Sequence, residues 1–105
     1  MKRTKVVFNN ERLNYSSELM RALAHPLRLK ILEYIDSQGA INVNKIYNTL
    51  KIEQSITSQH LKVLKMAGVV HAEKKGKFVT YNIDYKVVNK AKIAVDRFLA
   101  VSKLN

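Results

Sequence analysis

Apolar residues recur at helical spacing along four successive stretches of the chain, switch to alternation in steps of two, and then return to helical spacing. From Ser16 to Ala24, Leu19, Met20 and Leu23 line one side of a short helix, with Ser16 as its cap and Glu18 in its first turn. Pro26 suits the first turn of a second helix, in which Leu27, Leu29, Ile31, Leu32 and Ile35 give broad apolar coverage until Gly39 ends it. Such coverage puts this helix at the centre of the core. Val43, Ile46, Tyr47 and Leu50 mark a third helix over Asn42 to Leu50, and Lys51-Ile52-Glu53-Gln54 has the length of the turn in a helix-turn-helix. The fourth helix runs to Ala67. At 100° per residue Thr57, Leu61 and Leu64 share its inner face, while Ser55, Ser58, Gln59 and Lys62 gather opposite.

Gly68 is a helix stop. Val69 to Lys74 and Lys77 to Ile83 then read as strands of a hairpin tipped at Lys75-Gly76, the second alternating Val79, Tyr81 and Ile83 against Phe78, Thr80 and Asn82. Asp84 opens a last helix, taken as 84–105, whose Val87, Ala91, Ala94, Phe98 and Val101 follow a 4-3-4-3 spacing. With the core already closed by the preceding elements, that stripe is expected to meet a second copy of the chain, while Lys86, Lys90, Lys92 and Arg97 stay outside. Residues 1–12 are expected to be a flexible N-terminal segment. The whole chain, 1–105, is read as one domain.

Charge narrows the function. Lys and Arg number 19 and Asp and Glu 8, a balance of +11 that attracts polyanions. Hydrophobic residues make up 47% of the chain, too many for a basic disordered tail, so the charge sits on a folded body. No apolar run approaches the roughly 20 residues of a membrane span, and Val6-Val7-Phe8 is too short for a signal-peptide core of about 7 to 15 residues. A cytoplasmic protein without membrane association is the expectation. The chain has no cysteine, which removes disulfides, thiolate ligands and thiol redox chemistry together. An enzyme is not expected either, since there is no Gly-rich phosphate loop and no His and carboxylate paired at ligand spacing.

A polar helix face is by itself ordinary solvated surface, but here a hairpin carrying Lys74, Lys75 and Lys77 follows it. From Gln54 to Tyr81 there are five Lys and one acidic residue, Glu73. Ser, Thr and Gln can donate to or accept from base edges, whereas Lys neutralises phosphates without reading sequence. The pair therefore reads as a nucleic-acid footprint on double-stranded DNA, with the helix supplying specificity and the hairpin affinity.

Three segments carry a family resemblance: Ala22-Leu23-Ala24-His25-Pro26-Leu27-Arg28-Leu29-Lys30-Ile31-Leu32, then Gln54-Ser55-Ile56-Thr57-Ser58-Gln59-His60-Leu61-Lys62-Val63-Leu64, then Ala67-Gly68-Val69-Val70 and Lys75-Gly76-Lys77 through Tyr81. In that order and spacing they resemble the ArsR-type winged-helix repressors over roughly Leu19 to Ile83. The resemblance implies a homodimer built from the first and last helices, which would put Leu19 at the seam with the stripe of the last helix, and operator binding released by a signal. By position it assigns Ser55, Ser58, Gln59 and His60 to the recognition helix and Lys75 and Lys77 to the wing, to which the helix and the hairpin themselves add Gln54, Lys62 and Lys74 as DNA-binding candidates. His60 borders the outward face, and packing against the third helix and a contact with phosphate are both open to it. Thr57 departs from the pattern, standing where such proteins usually carry an aliphatic residue.

The metal site of the founding members is not matched. Where the metal sensors resemble Cys-Val-Cys, this chain reads Asn42-Val43-Asn44, and amides are poor ligands for soft metals. Asp84 and Asp96 have no His between Asp84 and Asn105 to complete a zinc set. His25, at a helix junction, is expected to be a hydrogen-bonded structural imidazole, and His71 a half-exposed strand residue. The sequence reading is thus a mainly α winged helix-turn-helix with a two-stranded β-hairpin (α-α-α-α-β-β-α). Its expected function is that of a homodimeric repressor on a palindromic operator, with neither metal nor cofactor and no small-molecule effector named by any motif. A winged-helix module for protein or RNA contacts is the alternative.

Overall fold

The structure, a computed structural model, describes residues 9–103, and the surroundings of side chains as far as residue 100. The elements are α1 (Asn10–Leu23), α2 (Pro26–Gln38), β1 (Ala40–Asn42), α3 (Val43–Leu50), α4 (Gln54–Met66), β2 (Val70–Lys75), β3 (Phe78–Ile83) and α5 (Tyr85–Lys103).

Helix α1 begins six residues before the expected Ser16 and takes in the end of the segment expected to be flexible; residues 1–8 of that segment lie outside the described residues. The cause is a cap further upstream: Asn9 is extended, and its side-chain oxygen accepts from the backbone N–H of Arg12 at 3.0 Å. Only the C-terminal part of α1 is buried, through Leu19 and Ala22. At α2 the cap is His25, whose Nδ1 accepts from the Leu27 N–H at 3.1 Å, with Pro26 following as the first helical residue. Gly39, at φ +80°, ends the helix where a side chain would be strained.

The hairpin predicted from the sequence belongs to a three-stranded antiparallel sheet, in the order β1-β3-β2. The extra strand, β1, pairs Ile41 with Tyr81 and Asn42 with Thr80. Being central, β3 is half-covered on both sides and shows no clean alternation of burial. The hairpin strands begin one residue later than expected, so the loop is Gly76-Lys77 and Lys75 sits in β2 opposite Phe78. Gly76 carries the positive φ, +61°, that a two-residue hairpin loop needs at its first position.

The core gathers Ile31 and Ile35 of α2, Ile46 of α3, Leu61 and Leu64 of α4, and Val69 and Val70 at the start of the hairpin, all at most 1% exposed. Val69 ties elements together: its N–H donates to Leu64 at 2.9 Å, and its carbonyl accepts from the N–H of Asp84 at 2.8 Å.

Two residues assigned to a dimer seam belong to this core instead. Leu19 and Ala91 are 5% and 4% exposed within the protomer, because the C-terminal part of α1 and the N-terminal part of α5 are what close the core on their side. Val87 is half-buried against the same cluster. Ala94 and Phe98 are exposed, while the side chain of Val101 lies outside the described residues. Every residue from Asn10 to Glu18 and from Lys92 to Ala100 is exposed. Half of each terminal helix thus projects from the domain.

Candidate nucleic-acid interface

Helix α4 is seated by Thr57, Leu61 and Leu64, all fully buried, on the side predicted to face inward. Thr57 fits without leaving a buried hydroxyl unpaired. Its Oγ1 donates to the Glu53 carbonyl at 3.0 Å, and the same carbonyl accepts the Thr57 backbone N–H, also at 3.0 Å. The α3–α4 turn is set by Lys51, a left-handed residue at φ 55° and ψ 49°, after which the Ile52 N–H donates to Tyr47 at 3.1 Å and its side chain joins the core. A non-glycine residue in that region costs about 1 kcal/mol, and packing of Ile52 offsets it.

With that seat fixed, Gln54, Ser55, Ser58, Gln59 and Lys62 are exposed together on the outer side of α4. His60 is not among them. It flanks the buried stripe, and its ring is half-buried against the start of α2, 4.7 Å from the His25 ring and tilted 55° to it. Arg28 donates from Nε to His60 Nδ1 at 3.2 Å and from Nη1 to the Arg21 carbonyl at 3.3 Å, so one guanidinium joins α1, α2 and α4. Burial, then the electrostatic influence of the neighbouring His25 and Arg28, holds the His60 pKa below the ordinary imidazole value. An imidazole accepting at Nδ1 and kept neutral there is a structural wedge. Of the two roles open to His60, the structure places the ring in packing, against the start of α2 and not against the third helix as expected.

On the wing, Lys74, Lys75 and Lys77 are all exposed. Lys75 lies 3.9 Å from Glu73, a surface pair with both partners largely in water, too weak to divert the ammonium from a phosphate. Phe78 at the base of the loop is 48% exposed, an apolar surface beside the lysines that the strand pattern did not single out.

A family model described as "Bacterial regulatory protein, arsR family" matches residues 25–72, the span from the α2 cap through α4 into β2. The transcriptional repressor PagR of Bacillus anthracis is 38% identical over 84 residues, covering 74% of this chain and 83% of PagR. The chain belongs to the ArsR family of bacterial regulatory proteins. The repressor SmtB of Mycobacterium tuberculosis is 43% identical over 74 residues, covering 70% of this ArsR-family chain and 53% of SmtB, so the match spans about half of that protein's length. Among solved structures, PagR superposes with a TM-score of 0.68 at 33% identity, covering 82% of this chain and 99% of PagR. The homodimeric winged helix-turn-helix DNA-binding domain Mb0332 of Mycobacterium bovis superposes with a TM-score of 0.74 at 25% identity, covering 99% of this chain and 94% of that domain. The fold is accordingly the winged helix-turn-helix of ArsR-type transcriptional regulators, and no helix among the described residues is long and apolar enough to cross a membrane.

Of the four groups set against a metal site in the sequence, Asn42, Asn44, Asp84 and Asp96, the first and third cap helices. The Asn42 side-chain oxygen caps α3, accepting from the Lys45 N–H at 2.9 Å. Asp84 caps α5 through the N–H groups of Lys86 and Val87 at 3.1 and 3.3 Å, and its second oxygen lies 2.9 Å from His71 Nε2. That hydrogen bond holds the Asp84 pKa below the usual carboxylate value. Neither the His71–Asp84 pair nor the Arg28 clamp was singled out from the sequence, since each joins residues that only the fold brings together.

Proposed function

We propose that this chain is a sequence-specific transcriptional repressor that binds a palindromic operator as a homodimer. The observation that carries the reading is the exposed face of Gln54, Ser55, Ser58, Gln59 and Lys62 on a helix locked to the core, with the wing lysines Lys74, Lys75 and Lys77 beside it on the same domain. Ser58 and Gln59 bring hydrogen-bonding groups to base edges, and the lysines bring charge to phosphates.

The dimer is supported by what projects from the protomer. Leu13 and Tyr15 on α1 and Ile93, Phe98 and Leu99 on α5 are each exposed by 48% or more, an apolar area that a monomer would leave in water. Mb0332, which shares the fold, is a homodimer. In the proposed assembly two copies of α4 enter successive major grooves about 34 Å apart. Selection from random duplexes tests this: the enriched sites should be inverted repeats with half-site centres about 10 base pairs apart. Enrichment of single half-sites, or none, would contradict the proposal.

Operator affinity is further proposed to be independent of metal ions, since the Asn42 and Asp84 oxygens cap helices. Zinc, cadmium and arsenite should each leave the dissociation constant unchanged. A tenfold loss of affinity on adding one equivalent of metal would overturn this part.

A further inference from the structure

Between α2 and α5 the structure leaves an open groove of about 630 Å³, within the range of small-molecule sites. Its walls are apolar: Leu29 and Leu32 come from α2 and Val88 and Val95 from α5, while Met20 and Leu23 of α1 close one side. On balance its charged groups carry the sign opposite to that of the whole chain. Glu33 and Asp36 of α2 and Asp96 of α5 line it together with Lys92, a local balance of 1 − 3 = −2 on a chain of +11. Three of the chain's eight carboxylates thus line one apolar groove. Asp36 is also held in place by the hydroxyl of Tyr85, which fixes one wall against the other.

We propose that this groove binds a small organic cation with an apolar body. Apolar walls take up the body, and the three carboxylates, acting beside low-dielectric walls, attract a positive charge and repel a negative one. A bare metal ion does not suit the site, because among the described residues no three His, Cys, Asp or Glu lie close enough to share one. The binding itself does not depend on the DNA reading.

Two probes of the same shape and opposite charge test the proposal: tetraphenylphosphonium and tetraphenylborate, titrated into the full chain by calorimetry without DNA. Unselective attraction to a chain of +11 favours the borate. The groove predicts the reverse, saturable binding of one phosphonium per chain at least tenfold tighter than the borate. Exchanging Glu33→Gln and Asp96→Asn together, both outside the core, should abolish that preference. Equal or tighter borate binding would overturn the proposal, as would a preference that survives the double exchange. Phosphonium binding that appears only once Ile93→Asp has made the chain monomeric would overturn it too, by showing a second copy to be the occupant.

Discussion

Thr57 is the test of how α4 is anchored. It is fully buried, yet its hydroxyl spends its hydrogen bond on the Glu53 carbonyl, which the Thr57 N–H already satisfies. Thr57→Val keeps the shape, removes a bond with a net worth of about 1 kcal/mol, and leaves no buried group unpaired. Exchanging the hydroxyl for a methyl in an apolar site returns a similar amount, so stability should change by less than about 1 kcal/mol. Thr57→Ser keeps the bond and deletes one buried methyl, for a loss of about 0.5 to 1.5 kcal/mol, the range seen for Ile→Val. Thr57→Ala loses both and should cost about 1.5 to 2.5 kcal/mol. Urea denaturation at constant m-value gives the order, with Val and wild type together, then Ser, then Ala. A Val variant destabilised as much as Ala would refute the reasoning, because the hydroxyl would then have to hold more than its own helix.

The remaining predictions follow from the clamp and from the projecting helices. With the His60 pKa lowered in the folded state, the unfolded chain takes up the proton first, so stability should be level above about pH 6.5 and decline as pH falls below it; His60→Gln should reduce that decline, and an unchanged profile would argue against the buried neutral ring. Arg28→Ala removes the donor to both His60 and the Arg21 carbonyl, and should cost about 1.5 to 3 kcal/mol in thermal or urea unfolding; a change under about 0.5 kcal/mol would show that the guanidinium joins nothing. Ile93→Asp on the exposed half of α5 should weaken self-association roughly 100-fold in sedimentation while the fold survives, since a charge in an apolar seam costs a few kcal/mol; an unchanged dimer would place the seam elsewhere.

Helices α2, α3 and α4 were legible because each satisfies its apolar face inside one chain, so that Ile31, Ile35, Ile46, Leu61 and Leu64 repeat at the spacing their burial demands. The first turns of α1 were not. They pack on nothing in the protomer, and the cap that starts them, Asn9, precedes no apolar stripe. Strand β1 was hidden for another reason: three residues with one buried side chain, Ile41, become a strand only because β3 arrives from about forty residues downstream. At the interface, the outward side of α4 followed from helical geometry alone. His60 sits at the margin between faces, where 100° per residue does not decide, and the ring was drawn inward by Arg28 and His25. For Leu19 and Ala91, periodicity marked them as apolar positions but could not say whose core they would enter.

The central claim is that α4 reads bases while the wing holds phosphates, and titrations at several salt concentrations test it most directly. Lys75→Ala and Lys77→Ala should weaken operator and random duplex alike and lower the slope of log K against log salt by roughly 0.9 for each phosphate that is no longer neutralised. Gln59→Ala should cost about 1 to 3 kcal/mol on the operator and little on random DNA, because an exposed amide at that position can pair with an adenine edge. The ratio of specific to random affinity should therefore collapse for Gln59→Ala and survive in the wing variants. A ratio that Gln59→Ala leaves unchanged would contradict the claim.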